Sequence, residues 1–150
     1  MIQFVLKHVS GHQYEMRDME KLVLGLTGHA EMVVGSNDTA AKVGSGMGAV
    51  LATPIMINLV EAAALDATEH LLASGKQSLG TKLDISHIAA TPVGMKVVAT
   101  AVVDEVDGNR ISYAVVVKDE LELIAEGKHT RVTVSADKFQ ARVNKKANRP

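Results

Sequence analysis

A threonine hydroxyl, a carboxylate and an imidazole stand at Thr53, Glu61 and His87 of this 150-residue chain. Together they are the side-chain types that activate a nucleophile and move its proton. Thr53 heads the apolar run LATPIMINLVEAAALDATEHLLA, 51–73. Its hydroxyl suits two roles: a helix cap worth ~1 kcal/mol, or a group that attacks a carbonyl or positions substrate and water. Glu61 sits among apolar neighbours, where an ionised carboxylate without a partner is costly. It reads either as half of a salt bridge at a subunit interface or as a base whose apolar setting raises its pKa toward the working pH. His87 follows Leu83 and Ile85 at alternate positions, so it shares their inward face. An inward histidine is either a satisfied core residue or a proton acceptor, and a helix carrying a buried glutamate favours the second.

The run 51–73 must place these groups, and it reads as a helix. Pro54 fits the first turn, where its missing N–H costs nothing, and Thr53 is the expected cap. From Ile55 to Leu65 almost no polar stripe is left, which predicts a helix wrapped by other elements rather than one with a wet face. Eight residues of helix separate Thr53 from Glu61 by ~12 Å. The two therefore do not reach one reacting atom from a single straight helix.

Before the helix, 22–34 alternates as a half-buried strand. Asn37 is the expected cap of a short helical turn over 38–43, which a glycine loop, GSGMG, ends. That loop lacks the GK[ST] ending of a phosphate loop. After the helix, strands are expected near 78–88, 95–106, 109–118 and 121–134, punctuated by turns at Thr91 to Gly94, at Asp107 and Gly108, and at Lys118 to Glu120. The order predicts one α+β domain, with an antiparallel sheet curled around a long central helix. Ser135 is a candidate cap for a short terminal helix. The domain is expected over 21–143, with a basic tail at 144–150 and a leader outside the core at 1–20.

Composition narrows the function. The formal net charge is -1, and two Phe, two Tyr and no Trp leave little for base stacking, so nucleic acid is not an expected partner. No apolar run reaches the ~20 residues of a membrane helix. The absence of cysteine excludes disulfides and thiolate nucleophiles and fits a reducing compartment, with the cytoplasm as default. His8 and His12 share a helical spacing, but no third ligand is nearby, so no metal is expected. His129 and Arg131 alternate on the last strand and read either as a pair that reaches a ligand or, by default, as a surface pair.

Three words carry a family resemblance: LAT followed eight residues later by the helix glutamate (Leu51, Ala52, Thr53, then Glu61), SLGTKLDISHIAATPVGM at 78–95, and EGKHTRVTV at 126–134. Together they resemble hot-dog fold thioesterases of the fluoroacetyl-CoA thioesterase type, over most of the chain. The resemblance implies an acyl-CoA thioesterase with Thr53, Glu61 and His87 in its active site and the Gly80 amide holding the thioester oxygen. It implies no cofactor, since coenzyme A is part of the substrate. It also implies a homodimer, or a dimer of dimers, with the ligand at the interface, and hence two composite sites per dimer. Lys82, Lys128, Arg131 or the basic tail would contact the coenzyme phosphates. Met47, Val50, Leu51 and Met56 suggest a modest aliphatic acyl pocket, and the lack of an aromatic residue over 42–51 departs from members specialised for fluoroacetate. The rival readings are a non-catalytic module that binds acyl-CoA or a related small ligand, and an enoyl-CoA hydratase, for which no Asp and His pair is suitably placed.

Overall fold

The computed structural model describes residues 21–149. The expected leader, and with it His8 and His12, lies outside the described residues. Five strands, β1 (Thr27–Val33), β2 (Lys76–His87), β3 (Lys96–Asp107), β4 (Arg110–Asp119) and β5 (Leu123–Ser135), form one antiparallel sheet in the order β1-β3-β4-β5-β2. Three helices accompany it: α1 (Ala40–Val43), the central α2 (Thr53–Thr68), extended by a 3-10 turn at Glu69–Leu71, and α3 (Ala136–Ala147). This is the α+β sheet-around-helix architecture expected from the sequence.

Alternation sets the core. Val97, Ala99, Ala101 and Val103 of β3 and Ile111, Tyr113, Val115 and Val117 of β4 turn inward onto Met56, Leu59, Val60, Ala63, Ala64 and Ala67 of α2. The small residues let the helix lie close to the sheet. At Gly28 of β1 the approach is so tight that a Cβ would collide with Ala63 O and Ala67 N. Beside it, the Asp66 carboxylate accepts a hydrogen bond from the His29 N–H at 2.8 Å.

Several local expectations are corrected. The first strand starts at Thr27 rather than at residue 22, because Gly25 takes a left-handed φ of 89° that breaks the extended run. Thr39, not Asn37, caps α1, its Oγ1 accepting from Lys42 N, and Gly44 closes that helix in the left-handed region. Ala52 rather than Thr53 is the N-cap of α2, so the Thr53 hydroxyl is free of capping duty. Nor is α2 covered on every side: Pro54, Asn58, Ala62 and Leu65 form an exposed stripe of little polarity. At the other end, α3 runs to Ala147 with Ser135 as its cap, so most of the expected tail at 144–150 is helical. No helix among the described residues is long and apolar enough to cross a membrane.

One irregularity matters for the site. The register of β2 on β5 shifts between Gly80 and Lys82, leaving Thr81 as the extra residue of a bulge. Ser78 and Gly80 face inward before it, and Leu83, Ile85 and His87 face inward after it, opposite the inward residues Arg131, His129, Gly127 and Ala125 of β5. Without the bulge, Gly80 and His87, seven residues apart, would lie on opposite faces of the sheet.

Candidate active site

The sequence-selected residues fall into two groups along β2. At its C-terminal end, Thr53 Oγ1 and His87 Nδ1 lie 2.8 Å apart. Helix α2 begins here, so Thr53 stands at the positive end of the helix dipole, next to backbone N–H groups with no partner inside the helix. Burial lowers the pKa of His87 below 6.5, and the Ala89 backbone partly opposes that shift. The imidazole is therefore neutral near pH 7 and can accept a proton. Its Nε2 is buried without a hydrogen-bond partner among the described residues.

Glu61 and Gly80 form the second group, toward the middle of the strand, and Glu61 does not touch His87. Its Oε2 accepts from Arg131 Nη1 at 3.0 Å, in an ion pair whose side chains are 37% and 5% exposed respectively. The apolar setting expected around Glu61 is thus replaced by a charge-assisted hydrogen bond to a guanidinium. Among the described residues Oε1 accepts no hydrogen bond. Gly80 is needed for space, because a Cβ there would lie 2.6 Å from Glu61 Oε2 and 3.2 Å from His129 Cε1.

Arg131 and His129 are buried, which overturns the surface-pair reading and the assignment of Arg131 to coenzyme phosphates. Arg131 donates from Nε to Ser78 Oγ (2.8 Å), from Nη2 to Ser78 O (2.9 Å), and from Nη1 to His129 Nε2 (3.3 Å) as well as to Glu61. His129 donates from Nδ1 to Lys82 O at 2.9 Å, which fixes its tautomer and leaves Nε2 to accept from Arg131. Burial lowers the His129 pKa, as does the neighbouring Arg131, against the Lys82 carbonyl and Glu61. Tyr113 stacks on the His129 ring at a centroid distance of 5.9 Å and shares a 2.7 Å hydrogen bond with Thr68.

Lys82 lies across the sheet from these groups, beside Lys128, Ser112 and Thr130 on a cavity of about 380 Å³ in the outer face. Lys128 there pairs with Asp104 at 3.0 Å. The expected acyl-pocket residues do not make one wall: Leu51 and Met56 are in the core, while Met47 is 96% exposed on the glycine loop. No group of three or more metal-ligating side chains occurs among the described residues.

The model of the fluoroacetyl-CoA-specific thioesterase family matches residues 34–137. The chain belongs to that family. A fluoroacetyl-CoA thioesterase of Streptantibioticus cattleyicolor is 39% identical over 97 residues, 65% of this chain and 70% of the relative. Among solved structures, a fluoroacetyl-CoA thioesterase is 31% identical with a TM-score of 0.79, covering 86% of this chain and 98% of its own. A hot-dog-like protein from Thermanaerovibrio acidaminovorans, 24% identical, matches with a TM-score of 0.79 over 87% of this chain and 97% of its own, a likeness of fold. The fold of this thioesterase-family chain is accordingly the hot-dog fold. The family match takes in Thr53, Glu61, Gly80, His87, His129 and Arg131, and ends at the start of α3.

Sequence reasoning missed Arg131, His129, Ser78 and Glu69 as parts of the family-matched region's polar interior. A signal existed for two of them: Ala125, Gly127, His129 and Arg131 share the parity of a buried strand face. Ser78 and Glu69 gave none, since their contact depends on how the end of α2 meets β2.

Proposed function

We propose that this protein is an acyl-CoA thioesterase that hydrolyses a small acyl-CoA thioester to the carboxylate and free coenzyme A. The observation that carries the reading is the Thr53 hydroxyl 2.8 Å from a neutral, half-buried imidazole at the head of a helix. His87 takes a proton from the Thr53 hydroxyl or from a water held by it, and the oxygen so activated attacks the thioester carbonyl. Backbone N–H groups at the start of α2 and at Gly80 face the oxyanion that develops. The proton passed to His87 leaves with the coenzyme thiol. Where Thr53 itself attacks, a water deprotonated by the same imidazole then hydrolyses the acyl-threonine, releasing the carboxylate and returning the proton to the threonine oxygen. Lys82 is the proposed phosphate contact. Membership in the family and the name of the relative from S. cattleyicolor support the reaction class. The lack of an aromatic residue over 42–51 supports a short acyl group other than fluoroacetyl as the substrate.

Glu61 enters through a second copy of the chain. Strand β2 is a twelve-residue sheet edge, Leu83 on it is 42% exposed, and the apolar stripe of α2 is open beside it. Two β2 edges paired antiparallel about a point between Leu83 and Asp84 would set His87 opposite Gly80 of the partner subunit. Each Thr53 and His87 pair would then meet Glu61 of the partner subunit, giving two composite sites per homodimer.

Thiol release from acyl-CoAs running from acetyl and fluoroacetyl to octanoyl and phenylacetyl tests the reaction, with His87→Ala alongside. Cleavage that collapses in the variant supports the thioesterase. Tight binding without thiol release replaces it with the non-catalytic module. Mixing His87→Ala with Glu61→Gln chains tests the composite site, because each mixed dimer regains one intact site and about a quarter of full activity returns. A mixture as inactive as its parts, or a fully active monomer, defeats it.

A further inference from the structure

The polar chain behind Glu61 is longer than an ion pair. Glu69, in the 3-10 turn that follows α2, accepts from Ser78 N at 2.9 Å and from Ser78 Oγ at 2.5 Å. The Ser78 hydroxyl proton is therefore committed to Glu69, and its oxygen presents a lone pair to Arg131 Nε at 2.8 Å. Ser78 O holds Nη2 of the same guanidinium at 2.9 Å, so one residue grips one whole edge of the Arg131 plane. The opposite corner, Nη1, then has fixed targets: Glu61 Oε2 at 3.0 Å and the lone pair of His129 Nε2 at 3.3 Å. A guanidinium is planar and cannot turn toward one partner without leaving the other.

We propose that Glu69 and Ser78 are positioning residues of the thioesterase site: they hold Arg131 in the one orientation that ties Glu61 Oε2 and leaves Oε1 directed at the substrate. The inference rests on the reading of Glu61 as a group of that site. Neither residue touches the reacting atoms. Their action passes through Arg131 alone, from the end of α2 and the start of β2 to the middle of both.

The chemistry of Ser78 makes the proposal specific. In Glu69→Gln the amide N–H donates to Ser78 Oγ, so the hydroxyl proton turns toward Arg131 and meets another donor. Volume is conserved and the direction of the hydrogen bond is reversed. Such loss of aim lowers turnover while leaving coenzyme binding alone.

Steady-state thiol release, with the melting temperature, is measured for wild type, Glu69→Gln, Ser78→Ala, Ser78→Thr and Glu61→Gln. Glu69→Gln and Ser78→Ala are expected to lower kcat about 10- to 100-fold with KM within about twofold. Ser78→Thr, which keeps the hydroxyl, is expected to restore most of kcat. Wild-type kcat in Glu69→Gln and Ser78→Ala, with Glu61→Gln inactive, overturns the positioning role and leaves the site reading intact. Wild-type kcat in Glu61→Gln overturns both. Losses that track the melting temperature, with Ser78→Thr no better than Ser78→Ala, reduce the two residues to structural supports and overturn the proposal.

Discussion

The Thr53 hydroxyl meets His87 Nδ1 at 2.8 Å across 34 residues of sequence, within one chain. A cap would have turned that hydroxyl back onto its own helix, but Ala52 holds the cap position and Thr53 is left to the histidine. Removing the imidazole with His87→Ala should lower kcat by about 10²- to 10⁴-fold, the usual contribution of a general base. Thr53→Ala should show a comparable loss and Thr53→Ser should retain most activity. Full activity in Thr53→Ala, read by thiol release, would remove the hydroxyl from the mechanism. Mass spectrometry of rapidly quenched enzyme separates the two routes: an acyl group on Thr53 shows direct attack, and its absence points to water.

Burial holds the pKa values of both His87 and His129 below 6.5. For catalysis, the acid limb of kcat/KM should therefore lie below the pH at which an exposed histidine titrates. For stability, the unfolded chain binds more protons than the native one at mildly acidic pH, so stability is full above about 6.5 and declines as pH falls through the lowered native values. Melting temperatures measured from about pH 8 down to about pH 5 should fall on the acid side. A flat or rising profile would contradict the desolvated, neutral state of these rings.

Arg131 is the most heavily bonded side chain of the site, and no apolar group can replace it locally. Arg131→Met strands Glu61 and removes the donor to His129 Nε2. Breaking a buried pair costs 3–5 kcal/mol, and with Glu61 partly exposed about 3 kcal/mol is expected, or a melting temperature lower by about 6–12 °C. Lysine should not rescue it, since an ammonium cannot grip Ser78 and Glu61 together. Thermal unfolding of both variants checks this, and a drop of less than about 2 °C would contradict the pairing.

Two glycines should respond differently to alanine. At Gly28 a Cβ meets backbone of α2, Ala63 O and Ala67 N, so the helix itself must move and more than about 3 kcal/mol of stability should be lost. At Gly80 the nearest atom is the far end of Glu61, which can swing away. Gly80→Ala should therefore stay folded while losing activity. Chemical denaturation with parallel assays checks both, and the reverse order of effects would contradict the packing described.

Apolar period and turn residues made much of the fold legible. The switch from helical run to alternating strands at Gly75, the turn at Thr91 to Gly94 and the hairpin at Gly108 each follow from local chemistry, and the strands lie within a few residues of expectation. Helix caps were harder to read. Ala52, a poor cap by type, holds the place of Thr53 because a tertiary contact claims the better residue.

The sequence alone determined which side-chain types stand at Thr53, Glu61 and His87, which segments are helix and strand, and that Leu83, Ile85 and His87 share one face, because these depend on side-chain type and a period of two or 3.6. Which partner each group meets was decided only by the tertiary structure. Glu61 finds Arg131 across 70 residues rather than His87, and Gly80 shares a face with His87 only because the bulge at Thr81 resets the parity of β2. One extra residue in a strand changes every later side chain's face, and no local preference in SLGTKLD marks where that residue falls.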